Sequence, residues 1–322
     1  MRKKVLFIGM LVTLLFAFSG CGTKNERVVT LIMSDVQEGD HPTAQACDKF
    51  AELVKKRTNG KVVIEVYHGS TLGTEAEQIA QATVGGIDFV RVSSPVAAYY
   101  DDIKAFQALY LYSSEDDMWK VLDGEIGNEF LKAQQLKDNG LEGLCWVSGG
   151  SRNFYNNVRP ITSPEDLAGL TLRVNTDSMF AFLESCGAKG VNVSYNDIYN
   201  SIEAGTIDGA ENNWPSYIST GHYKVAPYIT VDEHTRIPEM IVASTESMNK
   251  LTSEQQQIVR ECAQEAGQLQ RKWMQEYDEK AIKAAEDAGC TITYLTKEQS
   301  AKFQSVAAVS YTHLTLPTIL LV

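Results

Sequence analysis

The segment Gly169-Leu170-Thr171-Leu172-Arg173-Val174-Asn175 is the stretch from which the fold and the function of this chain can be argued. Its apolar residues alternate with polar ones, so a strand here buries one face and presents Arg173 on the other. Taken alone, the pattern also fits an ordinary surface arginine on an edge strand. The segments on either side decide between these interpretations.

Two polar segments accompany this strand, and each follows a hydrophobic strand. Ser151-Arg152-Asn153 comes after the strand predicted over Leu141–Val147, and Asp208-Gly209-Ala210-Glu211-Asn212-Asn213 lies downstream of Arg173. Earlier in the chain, strands and helices alternate: strands at Val28–Met33, Lys61–Tyr67 and Phe89–Val92, with helices between them. This order predicts an α/β fold with parallel or mixed sheets covered on both sides.

The combination resembles the solute-binding proteins of TRAP transporters, over about Val28 to Ala308. In that family, an arginine in a Leu-Arg-Val segment binds the carboxylate of the solute. A second arginine about twenty residues upstream and the Asn of an Asp-Gly-x-Glu-Asn run complete the site. The resemblance assigns these roles to Arg173, Arg152 and Asn212. Ala210 departs from the pattern, because many members carry Gln there.

The chemistry of arginine agrees with this assignment. The guanidinium is planar, stays protonated and donates to both oxygens of a carboxylate, which lysine cannot do. A hydrogen bond to a charged group contributes roughly 1.5–3 kcal/mol. Two bidentate or semi-bidentate arginines could therefore supply much of the ~8 kcal/mol that micromolar affinity requires.

The resemblance implies a two-lobed, periplasmic-binding-protein-like (Venus flytrap) α/β fold with a long helix spanning both lobes. The longest helical pattern opens at Thr252-Ser253, where Ser253 and Gln256 have capping-box spacing, and runs to about Ala288. Gly149-Gly150 suits a crossing between the lobes, or close packing. We expect lobe I at 22–149 with 238–277, and lobe II at 150–237 with 278–309.

Both ends of the chain carry segments that need separate treatment. Residues 1–21 combine a basic start, an apolar run and a Phe-Ser-Gly-Cys ending, which predicts a lipoprotein signal peptide with lipidation at Cys21. The apolar run is shorter than the ~20 residues that span a bilayer. After Lys302 no charged side chain occurs, and residues 310–322 resemble translated sequencing-adapter sequence. We therefore treat 310–322 as a suspect non-native tail.

Charge and cysteine content exclude several classes of function. Without residues 1–21 the chain has 26 basic and 41 acidic residues, which argues against nucleic acid or anionic lipid as a partner. Attraction of an anionic solute must then be local. The five cysteines besides Cys21 form no Cys-x-x-Cys pair, and we expect no metal, no cofactor and no disulfide framework.

Seven further residues are candidates for the solute site, each with a structural alternative. Tyr195 and His234 match positions that line the site in family members, and the ring of Trp214 could stack on a sugar-like solute. Core packing would also explain Tyr195 and Trp214, and a lone histidine is usually not a ligand. First-lobe residues would face the cleft from the other side. These are His41, Glu75, Arg91 and Ser93, and the position of Glu75 at a helix start is a sufficient structural reason for that acid.

The Trp214-Pro215 pair and the run from Asp232 to Glu239 look most like family members that bind hexuronates. A C4-dicarboxylate is the alternative solute. The leading interpretation is therefore a monomeric, lipid-anchored extracytoplasmic receptor that delivers a sugar acid to TRAP membrane subunits. A sensory binding protein is a further alternative. An extracellular hydrolase is less consistent, since the chain has five histidines and neither a Gly-x-Ser-x-Gly nor a His-Glu-x-x-His motif.

Overall fold

The computed structural model describes residues 28–310. The predicted signal peptide with Cys21 and the suspect tail from residue 311 onward lie outside these residues. Within them, no helix combines the length and the apolar composition needed to cross a bilayer.

The strands and helices alternate along the chain as the sequence predicts. The strands of residues 28–310 are β1 (Val29–Ser34), β2 (Val62–Tyr67), β3 (Phe89–Val92), β4 (Leu141–Ser148), β5 (Arg152–Asn156), β6 (Thr171–Arg173), β7 (Lys189–Val191), β8 (Gly209–Asn212), β9 (Tyr228–Thr235), β10 (Pro238–Ser244) and β11 (Thr291–Tyr294). The α-helices are α1 (Pro42–Arg57), α2 (Glu75–Thr83), α3 (Glu115–Leu122), α4 (Glu125–Leu131), α5 (Gln134–Asp138), α6 (Asp177–Ser185), α7 (Ile198–Glu203), α8 (Trp214–Ser219), α9 (Thr245–Met248), α10 (Ser253–Asp287) and α11 (Lys297–Ser310). Short 3-10 helices occupy Ser94–Ala98, Asp101–Gln107, Pro164–Leu167, Tyr195–Asp197 and His222–Lys224.

The strands form two mixed sheets. The first sheet has the order β2-β1-β3-β10-β4, in which β1 pairs parallel with β2 and β3, and β10 runs antiparallel to β3 and β4. The second sheet has the order β11-β9-β5-β8-β6-β7. Apolar clusters cover the sheets, one containing Phe50 and Phe89 and another containing Phe154 and Phe182. The predicted α/β architecture is confirmed.

The chain passes between the sheets where two glycines follow one another. After β4 in the first sheet, Gly149 and Gly150 lead into β5 in the second. A Cβ on Gly149 would lie 2.3 Å from Ile237 O, and Gly150 has a φ of +66°. Close approach explains the first glycine and a left-handed backbone explains the second. The return passage joins β9 to β10.

Helix α10 packs against both sheets. Its early residues Val259 and Ala266 belong to the core that covers β1 and β4, whereas Ala281 and Ala285 belong to a core of the second sheet. Its 35 residues span about 50 Å at ~1.5 Å per residue. The expected long helix across both halves is therefore confirmed.

The cap of α10 differs from the expectation by one residue. Thr252, not Ser253, is the N-cap: its side chain accepts from Gln255 N, and the Gln255 side chain accepts from Thr252 N. The reason is that Thr252 has extended dihedrals (φ −67°, ψ 160°), so the helix begins at the next residue.

Candidate functional site

Three strands of the second sheet bring Arg152, Arg173 and Asn212 to one edge. Arg173 is the last residue of β6 and Asn212 the last of β8, and these strands run parallel. Arg152 is the first residue of β5, which runs antiparallel to β8. The end of β6, the end of β8 and the start of β5 therefore meet at the same edge. We call these three residues the Arg173 site.

Arg152 is largely engaged by its own chain. Its Nε pairs with Glu211, Nη2 donates to Glu211 Oε1 at 2.9 Å and to Glu211 O at 2.7 Å, and Nη1 donates to Asn212 Oδ1 at 2.9 Å. Of the two bidentate or semi-bidentate contacts expected from the sequence, the one from Arg152 is therefore limited by these internal bonds. An internal carboxylate occupies most of its donors, and only part of Nη1 remains for a solute.

A buried network extends from Glu211 to β9, whose last residue, Thr235, pairs with Arg152. His234 Nε2 is 3.2 Å from Glu211 Oε2 and its Nδ1 is 2.9 Å from Asp232 Oδ2. Burial would lower the pKa of His234, but the charges of Asp232 and Glu211 raise it to about 9. Burial would likewise raise the pKa of Glu211, but Arg152 and His234 lower it to about 2. His234 is fully buried, and its contact with Glu211 holds that acid in position.

Arg173 has a different environment. Its Nε donates to Val193 O at 3.0 Å, and among residues 28–310 no carboxylate forms an ion pair with it and no acceptor bonds to its terminal nitrogens. The residue is only 6% exposed. Burial lowers the pKa of its guanidinium, although the nearby charge of Glu211 opposes this effect. The Arg173 guanidinium is thus nearly buried, and its terminal nitrogens have no anionic partner within the described residues.

Asn212 is oriented by two donors. Its Oδ1 accepts from Arg152 Nη1 at 2.9 Å and from the backbone N of Asn213 at 2.9 Å. Because the carbonyl is used in this way, the amide NH₂ is the group that can be presented to a solute.

The first sheet contributes a second charged group, built around Arg91 on β3. Its Nε lies 3.0 Å from Asp35 Oδ1, and its Nη1 lies 3.2 Å from Glu75 Oε1 and 3.3 Å from Glu239 Oε2. Arg91 is 1% exposed. We call these four residues the Arg91 cluster. Ser93 also holds Glu75, through its backbone N at 2.5 Å and its Oγ at 3.2 Å.

Three other candidates connect the two sheets or pack in the core. Tyr195 donates its hydroxyl to Gln37 Oε1 at 2.7 Å, which links the second sheet to the loop after β1. His41 caps α1 by accepting from Thr43 N, and burial lowers its pKa to about 3, so it is neutral. Trp214 is 5% exposed and packs edge-on against Tyr217 in the core of the second sheet.

Four residues of these groups were not identified from the sequence. They are Asp35, Gln37, Glu211 and Glu239. A signal for the acids does exist: Asp35 directly follows β1, and Glu239 stands at the start of the otherwise apolar run Met240–Ala243. An acid at the end of a buried strand needs a partner, and this reasoning could have pointed to a cluster.

A groove of about 1720 Å³ lies elsewhere in the described structure. It is lined by side chains such as Tyr100, Phe106 and Tyr112, but by none of the candidate site residues. Within residues 28–310, no group of three His, Cys, Asp or Glu side chains is placed to hold a metal ion. The five cysteines at 47, 145, 186, 262 and 290 are free thiols.

Comparison with known proteins places this geometry in a family. Residues 33–315 match the family model described as bacterial extracellular solute-binding protein, family 7. A solute-binding protein of Chromohalobacter salexigens is 33% identical over 276 residues, which are 84% of this chain and 82% of that protein.

Solved structures give the same answer. A TRAP periplasmic solute-binding protein from Sulfitobacter sp. NAS-14.1, with bound β-D-galacturonate, superposes with a TM-score of 0.84 at 31% identity, covering 88% of this chain and 94% of that one. One from Chromohalobacter salexigens with bound D-glucuronate has the same TM-score and identity, with 88% and 93% covered. The chain therefore belongs to the family 7 extracellular solute-binding proteins, the periplasmic solute receptors of TRAP transporters, which bind solutes and are not enzymes.

Proposed function

We propose that the solute of this receptor is a hexuronate, whose carboxylate binds to Arg173. The observation that carries the proposal is the unpaired edge of the Arg173 guanidinium, 6% exposed and without an ion-pair partner in residues 28–310. A charged donor in that position gains most from an anion that accepts through two oxygens. The bound galacturonate and glucuronate of the structural relatives support the same class of solute.

The other residues of the site have separate proposed roles. The Asn212 amide and the remaining Nη1 proton of Arg152 add donors to the same carboxylate, while Glu211 holds Arg152 in position. Hydroxyl groups of the sugar bind on the opposite side, where we place the candidates of the first sheet together with Tyr195. Those candidates are His41, Glu75, Arg91 and Ser93. His234 and Trp214 act behind the site, through Glu211 and through core packing.

Binding is coupled to closure of two lobes in this proposal. The lobes are 22–149 with 238–277 and 150–237 with 278–309, built around the two sheets. Tyr195 and Gln37 are in hydrogen-bond contact between them at 2.7 Å. Closure excludes water from the carboxylate and Arg173, which strengthens their attraction.

We also propose that the mature protein is a monomer anchored to the outer face of the membrane through a lipid on Cys21. The basis is the sequence of residues 1–21 alone. Membrane fractionation of a Cys21→Ala variant is the direct check: a variant that remains in the membrane fraction would overturn the anchor.

The proposed solute class can be tested by calorimetry on the purified receptor. D-glucuronate and D-galacturonate should bind with micromolar or tighter affinity, ~8 kcal/mol or more, and D-glucuronamide should bind at least about tenfold more weakly. The amide is the matched control, because it keeps the hydroxyls and loses only the charge. Tight binding of a C4-dicarboxylate such as succinate, with no binding of either uronate, would contradict the proposal in favour of the alternative solute.

A further inference from the structure

The Arg91 cluster contains more negative than positive charge. One guanidinium lies within 3.3 Å of three carboxylates, those of Asp35, Glu75 and Glu239. Burial, together with the charges of Glu75 and Asp35, raises the pKa of Glu239 to about 7, although Arg91 opposes the shift. Protonating Glu239 is therefore easier than keeping all three carboxylates of the cluster ionised.

The cluster also leaves a donor and an acceptor unused. Within residues 28–310, Arg91 Nη2 and Asp35 Oδ2 are buried without a hydrogen-bond partner. The nearest cation to Asp35 Oδ2 besides Arg91 is His68, whose Nδ1 is 3.6 Å away and beyond good hydrogen-bond range. A hydroxyl group can donate to a carboxylate and accept from a guanidinium, whereas a carboxylate can only accept. The unused atoms therefore match a hydroxyl.

The Arg91 cluster and the Arg173 site face each other closely enough to interact. The charge of Arg152 lowers the pKa of Glu239, and the charge of Glu75 acts to raise the pKa of Arg173. A chain of hydrogen bonds joins the two sides, since Gln37 accepts from Tyr195 and its backbone N donates to Asp35 Oδ1 at 3.2 Å. For the acids to act on a solute held at Arg173, the far end of that solute has to extend toward them.

We propose that the Arg91 cluster is a specificity filter, which admits a neutral, hydroxyl-bearing end of the solute and rejects a second carboxylate. The inference rests on the proposed function, because it requires the first carboxylate to be held at Arg173. Arg91 cannot attract a second anion, since three acids already outnumber it. A further carboxylate would meet like charges in a buried setting, where their repulsion is strong.

A matched pair of ligands tests the filter on the unmodified protein. D-gluconate and D-glucarate are open chains that differ at one end only, where gluconate has a hydroxyl and glucarate a second carboxylate. By calorimetry at pH 8 we expect gluconate to bind about 100-fold more tightly than glucarate. Equal affinities for the two ligands would overturn the filter.

Charge-removing variants locate the effect. Glu75→Gln and Glu239→Gln, made singly, should each narrow the gluconate-to-glucarate ratio by about tenfold, because each removes one negative charge facing the far end. Glu184→Gln is the control: Glu184 is exposed on α6 and should leave the ratio unchanged. A ratio that is the same in all three folded variants would contradict the proposal.

A pH series tests the filter without substitution. Lowering the pH from 8 to 6 protonates Glu239 and should narrow the ratio, while both ends of glucarate stay ionised. The charged groups around Glu239 are Arg91 on β3, Glu75 on α2, Asp35 after β1 and Arg152 on β5.

His68 is a second titratable group beside the cluster, and the nearby carboxylates of Asp35 and Asp48 raise its pKa. The Glu239→Gln variant separates the two contributions: the part of the pH dependence that disappears belongs to Glu239. A wild-type ratio that does not change between pH 6 and pH 8 would count against the filter.

Failure of the filter and failure of the proposed function give different results. If neither gluconate nor glucuronate binds the wild type, the proposed function is wrong and the filter falls with it. If both bind but glucarate binds as tightly, only the filter is wrong.

Discussion

Arg91 and Arg173 are both buried arginines at strand positions facing the space between the two sheets, and they differ in their partners. Arg91 is 1% exposed and lies within 3.3 Å of Asp35, Glu75 and Glu239. Arg173 is 6% exposed, and the only hydrogen bond of its side chain within residues 28–310 is the one from Nε to Val193 O. The two guanidinium groups are buried to a similar extent, but only that of Arg91 has carboxylates paired with it.

The difference teaches how to separate an arginine whose charge is balanced within the protein from one whose charge is left for a bound anion to balance. A buried charge without a partner costs free energy of folding, so a protein retains it where another molecule supplies the partner. A buried charge among acids is instead part of the folded state, and removing it leaves those acids uncompensated. The contrast between the two arginines can be tested by substituting each in turn.

The largest effect is expected for Arg91→Ala. Removing the guanidinium leaves three buried carboxylates without their shared partner, which should lower the free energy of unfolding by about 3–5 kcal/mol. Urea denaturation followed by circular dichroism measures this loss. Arg260→Ala is the matched control, because Arg260 pairs with Glu142 at the surface and should lose only about 0–1 kcal/mol. Similar losses for both variants would show that the Arg91 cluster is not a buried charge system.

An intermediate effect is expected for Arg173→Lys, which should change the affinity for uronate and not the stability of the fold. The ammonium cannot form the fork, so calorimetry should give uronate affinity at least about tenfold lower, or roughly 1.4 kcal/mol. Stability without ligand should change by about 0.5 kcal/mol or less, since Arg173 has no ion pair in the described chain. Arg260→Lys serves as the control. Unaltered binding by Arg173→Lys would refute the assignment of the carboxylate to this residue.

The smallest effect is expected for Tyr195→Phe. This change removes the hydroxyl that donates to Gln37 across the two halves. Because the contact requires a closed cleft, its loss should lower uronate affinity about fivefold, or by about 1 kcal/mol. Tyr217→Phe is the control: its hydroxyl bonds to Ala226 O within one half, so stability should fall while affinity stays the same.

Small-angle scattering adds an independent check, since saturating uronate should compact the wild type. Identical profiles with and without ligand would contradict closure.

Much of the architecture followed from local pattern. Alternation in Leu170–Val174 and the apolar run of β4 placed strands correctly, and periodicity placed the helix that ends at Asp287. These features depend on residues close in sequence, where a helical or extended repeat decides which face is buried. The three residues of the Arg173 site were instead named from the resemblance to TRAP solute-binding proteins, because no local pattern links them.

The charge pairing was decided by the tertiary structure. Along the sequence, Arg91 is 56 residues from Asp35 and much further from Glu239. Arg152 is 59 residues from Glu211. No local repeat links residues at such separations, so which arginine is satisfied and which is left open depends on how the strands are ordered in each sheet. By itself, then, the sequence indicated most of the strands and the long helix, the family and the arginine that we propose binds the solute. Only the folded chain decided that Arg152 is held by Glu211, that His234 is buried against that acid, and that three carboxylates surround Arg91, because a Coulombic partner is chosen by distance in space.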